Sequence, residues 1–192
     1  MIGTGAIGRQ VAIQLAIIGM GRITLVDPDT VSEVNLGVQG FSEGDIDKPK
    51  VDAVEAACLA VDSSLDIQKH QARNTPRIAP GDVVFCCVDS ISARRATWNA
   101  VHNKCKLFID GRMSGEFMRV LSIADPVLDQ YYMTTLFKQE EAHVGRCTAR
   151  STVYCAYIAS GVMVSQLAKW TRKMPVDRDL YFNLTTMDLS HA

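Results

Sequence analysis

The chain opens with two alternating kinds of apolar pattern. Ile7, Val11, Ile13, Leu15, Ala16 and Ile18 recur at helical spacing and predict a helix that starts beside Gly3, Gly5 and Gly8. A Gly-Met-Gly break then leads into Ile23–Val26, a short β-branched strand ending on Asp27. Thr30–Gly40 is polar and punctuated by glycine, which predicts a loop with a short helical turn. Pro49 suits the first turn of a helix, and Val51, Val54, Ala57, Cys58 and Val61 carry its stripe to about Asp62. Leu65–His70 reads as a short strand. Pro76, Pro80 and Gly81 mark the connection into Asp82–Val88, a nearly continuous apolar run of the kind a parallel sheet covers on both faces. Ser90 is placed to cap a helix running to about Asn103, and Lys106–Asp110 is the next strand, stopping at Asp110-Gly111-Arg112.

Beyond Gly111 the alternation breaks. Glu116–Ile123 predicts a longer strand, antiparallel to its neighbours, and Pro126–Phe137 a helix. Lys138–Arg150 is polar and irregular, a crossing loop. From Ser151 a long helix runs to about Lys173; its first half is nearly all apolar, so it is buried or forms an interface. Tyr181–Leu189 predicts a closing edge strand. Together these elements predict an α/β fold: a Rossmann-like, doubly wound, mainly parallel sheet with antiparallel strands added on its C-terminal side. No repeat, low-complexity tract or linker divides the chain, so 1–192 reads as one domain. Its first strand is expected to be truncated. A strand feeding the glycine turn needs about five residues, whereas only Met1 and Ile2 precede Gly3.

Composition narrows the function classes. With 47% hydrophobic and 21% charged residues and a formal net charge of −1, nothing calls for nucleic acid or an anionic membrane as partner. No run of about eighteen apolar residues predicts a membrane span. The six cysteines are scattered without a C-x-x-C pair, which argues against a tetrathiolate zinc site and for free thiols in a reducing cytosol. A cytoplasmic location is therefore expected.

The candidate chemistry begins at Gly3-Thr-Gly5-Ala-Ile-Gly8. Such glycines allow a sharp turn and close approach to a phosphate, and the helix start beyond them favours an anion. The turn alone also serves plain loops. Followed by a helix and an acid about twenty residues on, it predicts nucleotide binding, with dinucleotides and ATP both open. Asp27 is positioned to hold a ribose or merely to open a turn with Pro28. Asp29 either does likewise or orients Asn35.

Set side by side, several segments resemble the ThiF/MoeB family, the adenylating enzymes that activate ubiquitin-like proteins and sulfur carriers. They are the glycine turn, Asp27-Pro-Asp29, Val34-Asn35-Leu36-Gly-Val-Gln39, Asp45-Ile-Asp-Lys-Pro49-Lys50, Val88-Asp89-Ser90 with Arg94, and Arg146-Cys147-Thr148-Ala-Arg150-Ser151 before the long helix. The resemblance spans nearly the whole chain in order. It implies that Gly3, Gly5 and Gly8 hold ATP phosphates, Asp27 the ribose, and Lys50 the α-phosphate. Asp89 would support Mg2+ at the triphosphate, and Asn35, Gln39 and Arg94 would face the nucleotide. The implied partner is a ubiquitin-like or sulfur-carrier protein, and the resemblance together with the long apolar helix implies a homodimer.

Other readings stay open residue by residue. Lys50 is otherwise a solvated lysine, Arg94 a partner for a surface carboxylate, and Asp89 a helix cap. Cys147, flanked by Arg146 and Arg150 near a helix start, is a candidate nucleophile for a thioester or persulfide, or a cysteine without a role. Cys155, Cys86 and Cys87 read as core. The sequence also departs from the family, which usually has arginine before the glutamine where this chain has Val38. Arg9, Arg112 or another chain would then have to supply the missing cation. A non-catalytic nucleotide-binding dimer of the same family, and an NAD(P)-dependent oxidoreductase, are the alternatives.

Overall fold

The strands at the centre of the sheet are apolar on both sides because helices cover both faces. The computed structural model describes residues 1–73, 79–137 and 153–191. One face of the sheet carries α1 (Ala6–Ile17), α2 (Lys50–Leu59) and α5 (Val153–Thr171); the other carries α3 (Ile91–Val101) and α4 (Tyr131–Thr134). Alternation along β4 (Leu107–Ser114) shows the division. Leu107 and Ile109 enter the first cluster, and Phe108, between them, enters the second.

β1 (Arg22–Val26) pairs in parallel with β2 (Asp66–His70), and β3 (Val83–Cys86) with β4. Met1–Gly3 fills the slot between these pairs, with Ile2 bridging Val26 on one side and Cys86 on the other, both in parallel sense. Backbone bonds fix it there: Gly3 N–H donates to the Val26 carbonyl at 2.9 Å and Cys87 N–H to the Ile2 carbonyl at 2.7 Å. Beyond β4, the strands β5 (Phe117–Ala124), β6 (Asp179–Asn183) and β7 (Asp188–His191) add antiparallel. The chain therefore leaves the centre of the sheet at the glycine turn, where successive strands depart to opposite sides. That crevice is where open α/β sheets bind ligands.

Three local expectations change. Helix over Pro126–Phe137 shrinks to the 4 residues of α4, because Asp125 takes a left-handed φ of 60° and the Asp129 carboxylate accepts the Tyr131 N–H at 2.9 Å, so the helix starts late. Tyr181–Leu189 is a hairpin, not one strand. Asn183 Oδ1 accepts the Thr185 N–H at 3.0 Å and Met187 adopts φ 58°, which turns the chain without glycine or proline. Finally, β4 runs through Asp110-Gly111-Arg112 to Ser114 before turning at Gly115. Asp110 and Arg112 thus sit on a strand and not in a terminating turn.

Candidate functional site

The glycine turn is too tight for side chains at two positions. A Cβ at Gly8 would lie 2.0 Å from the Gly3 carbonyl oxygen, and one at Gly3, which has φ +86°, 2.6 Å from the Cys87 carbonyl oxygen. Asp27 braces the turn from the end of β1. Its buried carboxylate accepts the Thr4 N–H at 2.6 Å through Oδ2 and the Asp29 N–H at 2.9 Å through Oδ1. Each carboxylate oxygen keeps a further lone pair for another donor. No side chain caps α1 at Gly5, so its first-turn N–H groups keep the vacancy that every helix start presents.

These groups open onto a cavity of about 520 Å3 whose wall includes Gly3, Gly5, Asp27, Lys50, Asp89 and Arg94. Lys50 is 6% exposed, at the first position of α2, with Nζ 2.9 Å from Asp29 Oδ2. A cation at a helix start opposes the helix dipole, and the Asp29 carboxylate offsets that cost. Asp29 therefore holds Lys50; the carbonyl oxygen of the Asn35 side chain goes to Ser32 N–H and Oγ, both at 3.1 Å. Asn35 caps its own loop and lies outside the cavity wall, whereas Gln39 is on the wall with a buried Oε1 that has no partner among the described residues. Asp89 is exposed at the rim, and Ser90, not Asp89, caps α3 by accepting the Ala93 N–H at 3.2 Å.

Arg94 pairs with a buried carboxylate and not a surface one. Its guanidinium bonds Asp110 and donates to the Gly111 carbonyl at 3.2 Å. Asp110, fully buried, also takes Arg112 Nε at 2.7 Å and the Tyr132 hydroxyl at 3.1 Å. Two guanidiniums against one carboxylate leave an excess positive charge beside the cavity, which burial makes costly unless an anion lies close. Arg112 spends its remaining donors on Thr135, at 2.9 Å to both the carbonyl and Oγ1, and Arg9 lies over the Phe41 ring. Neither is on the cavity wall. Val38 is buried.

Cys147, with His143, Arg146 and Arg150, lies outside the described residues. Burial pushes the Cys86 thiol up to about 12 and that of Cys87 higher still, so neither is a nucleophile at neutral pH. Cys87 differs from a plain core residue in that it is on the cavity wall, whereas Cys155 packs fully buried in α5. Among the described residues no group of three His, Cys, Asp or Glu side chains could hold a metal on its own.

Sequence reasoning missed Arg73, an exposed residue of the cavity wall just after β2, and the pairing of Asp110 with Arg94. A topological signal existed for Arg73, since it follows the carboxyl end of a strand next to β1. None existed for the pairing, which joins residues on two separate elements.

A glycine turn at the switch point of an open α/β sheet, backed by a helix start and buried cations, defines a Rossmann-like domain with an anion-receptive crevice. The model of the ThiF family matches residues 1–191, and the chain belongs to that family. It is similar to the molybdopterin-synthase adenylyltransferase of Salmonella typhimurium, 33% identical over 100 residues that cover 49% of this chain and 40% of that protein. It is 32% identical over 101 residues to the sulfur carrier protein ThiS adenylyltransferase of Escherichia coli, covering 50% of this chain and 40% of that protein. The chain thus spans about two fifths of the length of these curated relatives. Among solved structures, PaaA superposes with a TM-score of 0.78 at 17% identity, covering 100% of this chain and 70% of that one. MccB of E. coli with ATP gives 0.73 at 18%, covering 100% and 61%. At such identity the likeness speaks to the fold: a ThiF-like sheet with parallel and antiparallel parts.

Proposed function

We propose that the chain carries the nucleotide site of an ATP-dependent adenylyltransferase that activates the C-terminal carboxylate of a ubiquitin-like or sulfur-carrier protein. The observation that supports this best is the cavity itself, where an uncapped helix start, a buried lysine and a braced carboxylate converge. Membership of the ThiF family and the named activities of the relatives support the same reading. The triphosphate would lie on the glycine turn and the ribose on the spare lone pairs of Asp27. A carboxylate oxygen of the acceptor attacks the α-phosphorus, the bond to the bridging oxygen breaks, and pyrophosphate leaves. Lys50 would steady the charge that builds on the α-phosphate.

Mg2+ fits the donors present. Asp89 is an exposed carboxylate at the rim, and one protein carboxylate plus substrate phosphates is a usual magnesium site. The ion would neutralise phosphate charge. Cys147 is the group proposed to attack the acyl carbon of the acyl adenylate, forming a thioester as AMP leaves, or to take the outer sulfur of a donor persulfide, whose thiol leaves. We place the protein in the cytoplasm as a homodimer; no helix among the described residues is long and apolar enough to cross a membrane.

The test is ATP–pyrophosphate exchange by the full-length protein with a carrier ending in Gly-Gly. Exchange that depends on the carrier supports the activity. No exchange although both carrier and ATP bind overturns it and selects the second reading, a nucleotide-binding scaffold, which the burial of Val38 and the diversion of Arg112 favour.

A further inference from the structure

Among the described residues, the cavity wall holds one cation that no other protein group engages. Lys50 is tied to Asp29, and Arg94 to Asp110 and the Gly111 carbonyl. Arg73 is also on the wall, and among the described residues it has no hydrogen bond, ion pair or ring contact. Its place relative to the glycine turn is fixed by the order of the sheet. The turn leaves the central slot, Asp27 ends the neighbouring strand β1, and Arg73 follows the end of β2, the next strand out. Backbone bonds hold the last two together: the Asp27 N–H donates to the His70 carbonyl at 3.1 Å, and the Ala72 N–H to the same oxygen at 2.9 Å.

A nucleoside triphosphate has its phosphates and its base on opposite ends of the ribose. With phosphates on the turn and ribose at Asp27, the base is directed outward, to the end of β2. We infer that Arg73 covers the face of the base, its planar guanidinium stacking on the purine, and so helps set which nucleotide this site accepts. This rests on the ATP reading given above. A guanidinium suits that role because it is flat, delocalised and weakly hydrated, whereas an ammonium is a compact hydrated charge. An exposed arginine at a rim also loses little solvation on stacking. The Val38 position does not supply the cation usual there, but Arg73 is not its replacement: it lies at the base end and not at the phosphates.

The experiment is calorimetric titration of the intact protein, its Arg73→Ala and its Arg73→Lys variants with ATP and with inorganic tripolyphosphate. Arg73 is exposed, so neither change should unfold the protein. Arg73→Ala is expected to weaken ATP about 2- to 30-fold, the range of one cation–π contact, and to leave tripolyphosphate unchanged. Arg73→Lys should recover only part of that loss, because an ammonium keeps the charge but not the stacked plane. Equal losses for ATP and tripolyphosphate, or full recovery with lysine, would show a cation that acts by charge alone and overturn the inference. Unchanged ATP affinity in both variants overturns it as well. Should the unsubstituted protein bind tripolyphosphate but not ATP, or neither, the nucleotide reading falls and this inference with it.

Discussion

At the scale of single residues, Asp27 and Gly8 decide whether the turn exists in a form that can hold phosphate. Asp27→Asn replaces an acceptor with an amide whose NH2 meets a backbone N–H. Leaving that buried donor unsatisfied should cost about 1–3 kcal/mol in urea unfolding and weaken ATP binding in the same titration. Gly8→Ala is expected to do more to binding than Asp27→Asn, because its Cβ at 2.0 Å from a backbone oxygen must push the turn open. An alanine variant with full ATP affinity would show that the turn does not touch the ligand. Thiol chemistry is also settled residue by residue. Burial holds Cys58 and Cys105 up at about 11 and Cys86 at about 12, and Cys155 is fully buried. Brief iodoacetamide treatment at neutral pH should therefore alkylate Cys147, with its two arginine neighbours, ahead of every other thiol. Peptide mass spectrometry checks this, and prior labelling of another cysteine would remove the case for a Cys147 nucleophile. The residues that a reader of the sequence can place at the crevice are those at strand ends or helix starts: Asp27, Lys50, Asp89 and the glycines. Asn35 and Arg94 were harder, because what each side chain faces is set by Ser32 in one case and by Asp110, 16 residues away, in the other.

At the scale of elements, α3 and β6 show how local chemistry positions a whole segment. Ser90 caps α3 and so sets where Asp89 and Arg94 project. Ser90→Ala should cost about 1 kcal/mol, a fall in melting temperature of about 2–4 °C for a chain of this size. β6 is pinned to β5 and α4 through Asp179, which is fully buried. It accepts Arg119 at 2.9 and 2.7 Å, the Tyr131 hydroxyl at 2.7 Å and the Tyr181 hydroxyl at 3.2 Å. Burial alone would raise this carboxyl, but the Arg119 and Tyr131 donors outweigh it and hold it below its ordinary value. A carboxylate depressed in the folded state adds stability that is complete above its unfolded pKa of about 3.9 and is lost as pH falls through the folded value. The urea midpoint should therefore hold steady down to about pH 5 and drop below about pH 4. Tyr131→Phe removes one donor and raises the folded pKa towards the unfolded one, so it should lower the midpoint at neutral pH and make the acid drop smaller; an acid drop of unchanged size would mean the hydroxyl does not stabilise the charged form. The hairpin that β6 begins was not legible because its turn relies on Asn183 and on Met187 at positive φ, residues that carry no glycine or proline signal. Within the parallel half β3 was the most legible strand, since one covered on both faces must be apolar throughout.

At the scale of the whole molecule, the remaining issue is what covers α5. Its inner side packs on α1 and the sheet through Cys155, Ala156, Ala159, Met163 and Leu167. Its outer side presents Tyr154 at 43%, Tyr157 at 48% and Ile158 at 37% exposure. Residues 154, 157 and 158 are spaced i, i+3, i+4 and so share one helical stripe. The sequence expectation that this helix is buried or forms an interface thus divides along its length: one side is core, and the other stays partly exposed, with the Tyr154 hydroxyl bonded to Glu116. A contiguous exposed apolar patch marks an interaction site, and a second copy of the same helix is self-complementary when it packs about a two-fold axis. Light scattering of the full-length protein should then give twice the chain mass at micromolar concentration. Ile158→Glu, which places like charges against each other across such an axis, should give the mass of one chain while leaving ATP binding intact, since Ile158 is not on the cavity wall. A single-chain mass at every concentration for the unsubstituted protein would refute the dimer and leave the stripe to a partner of another kind.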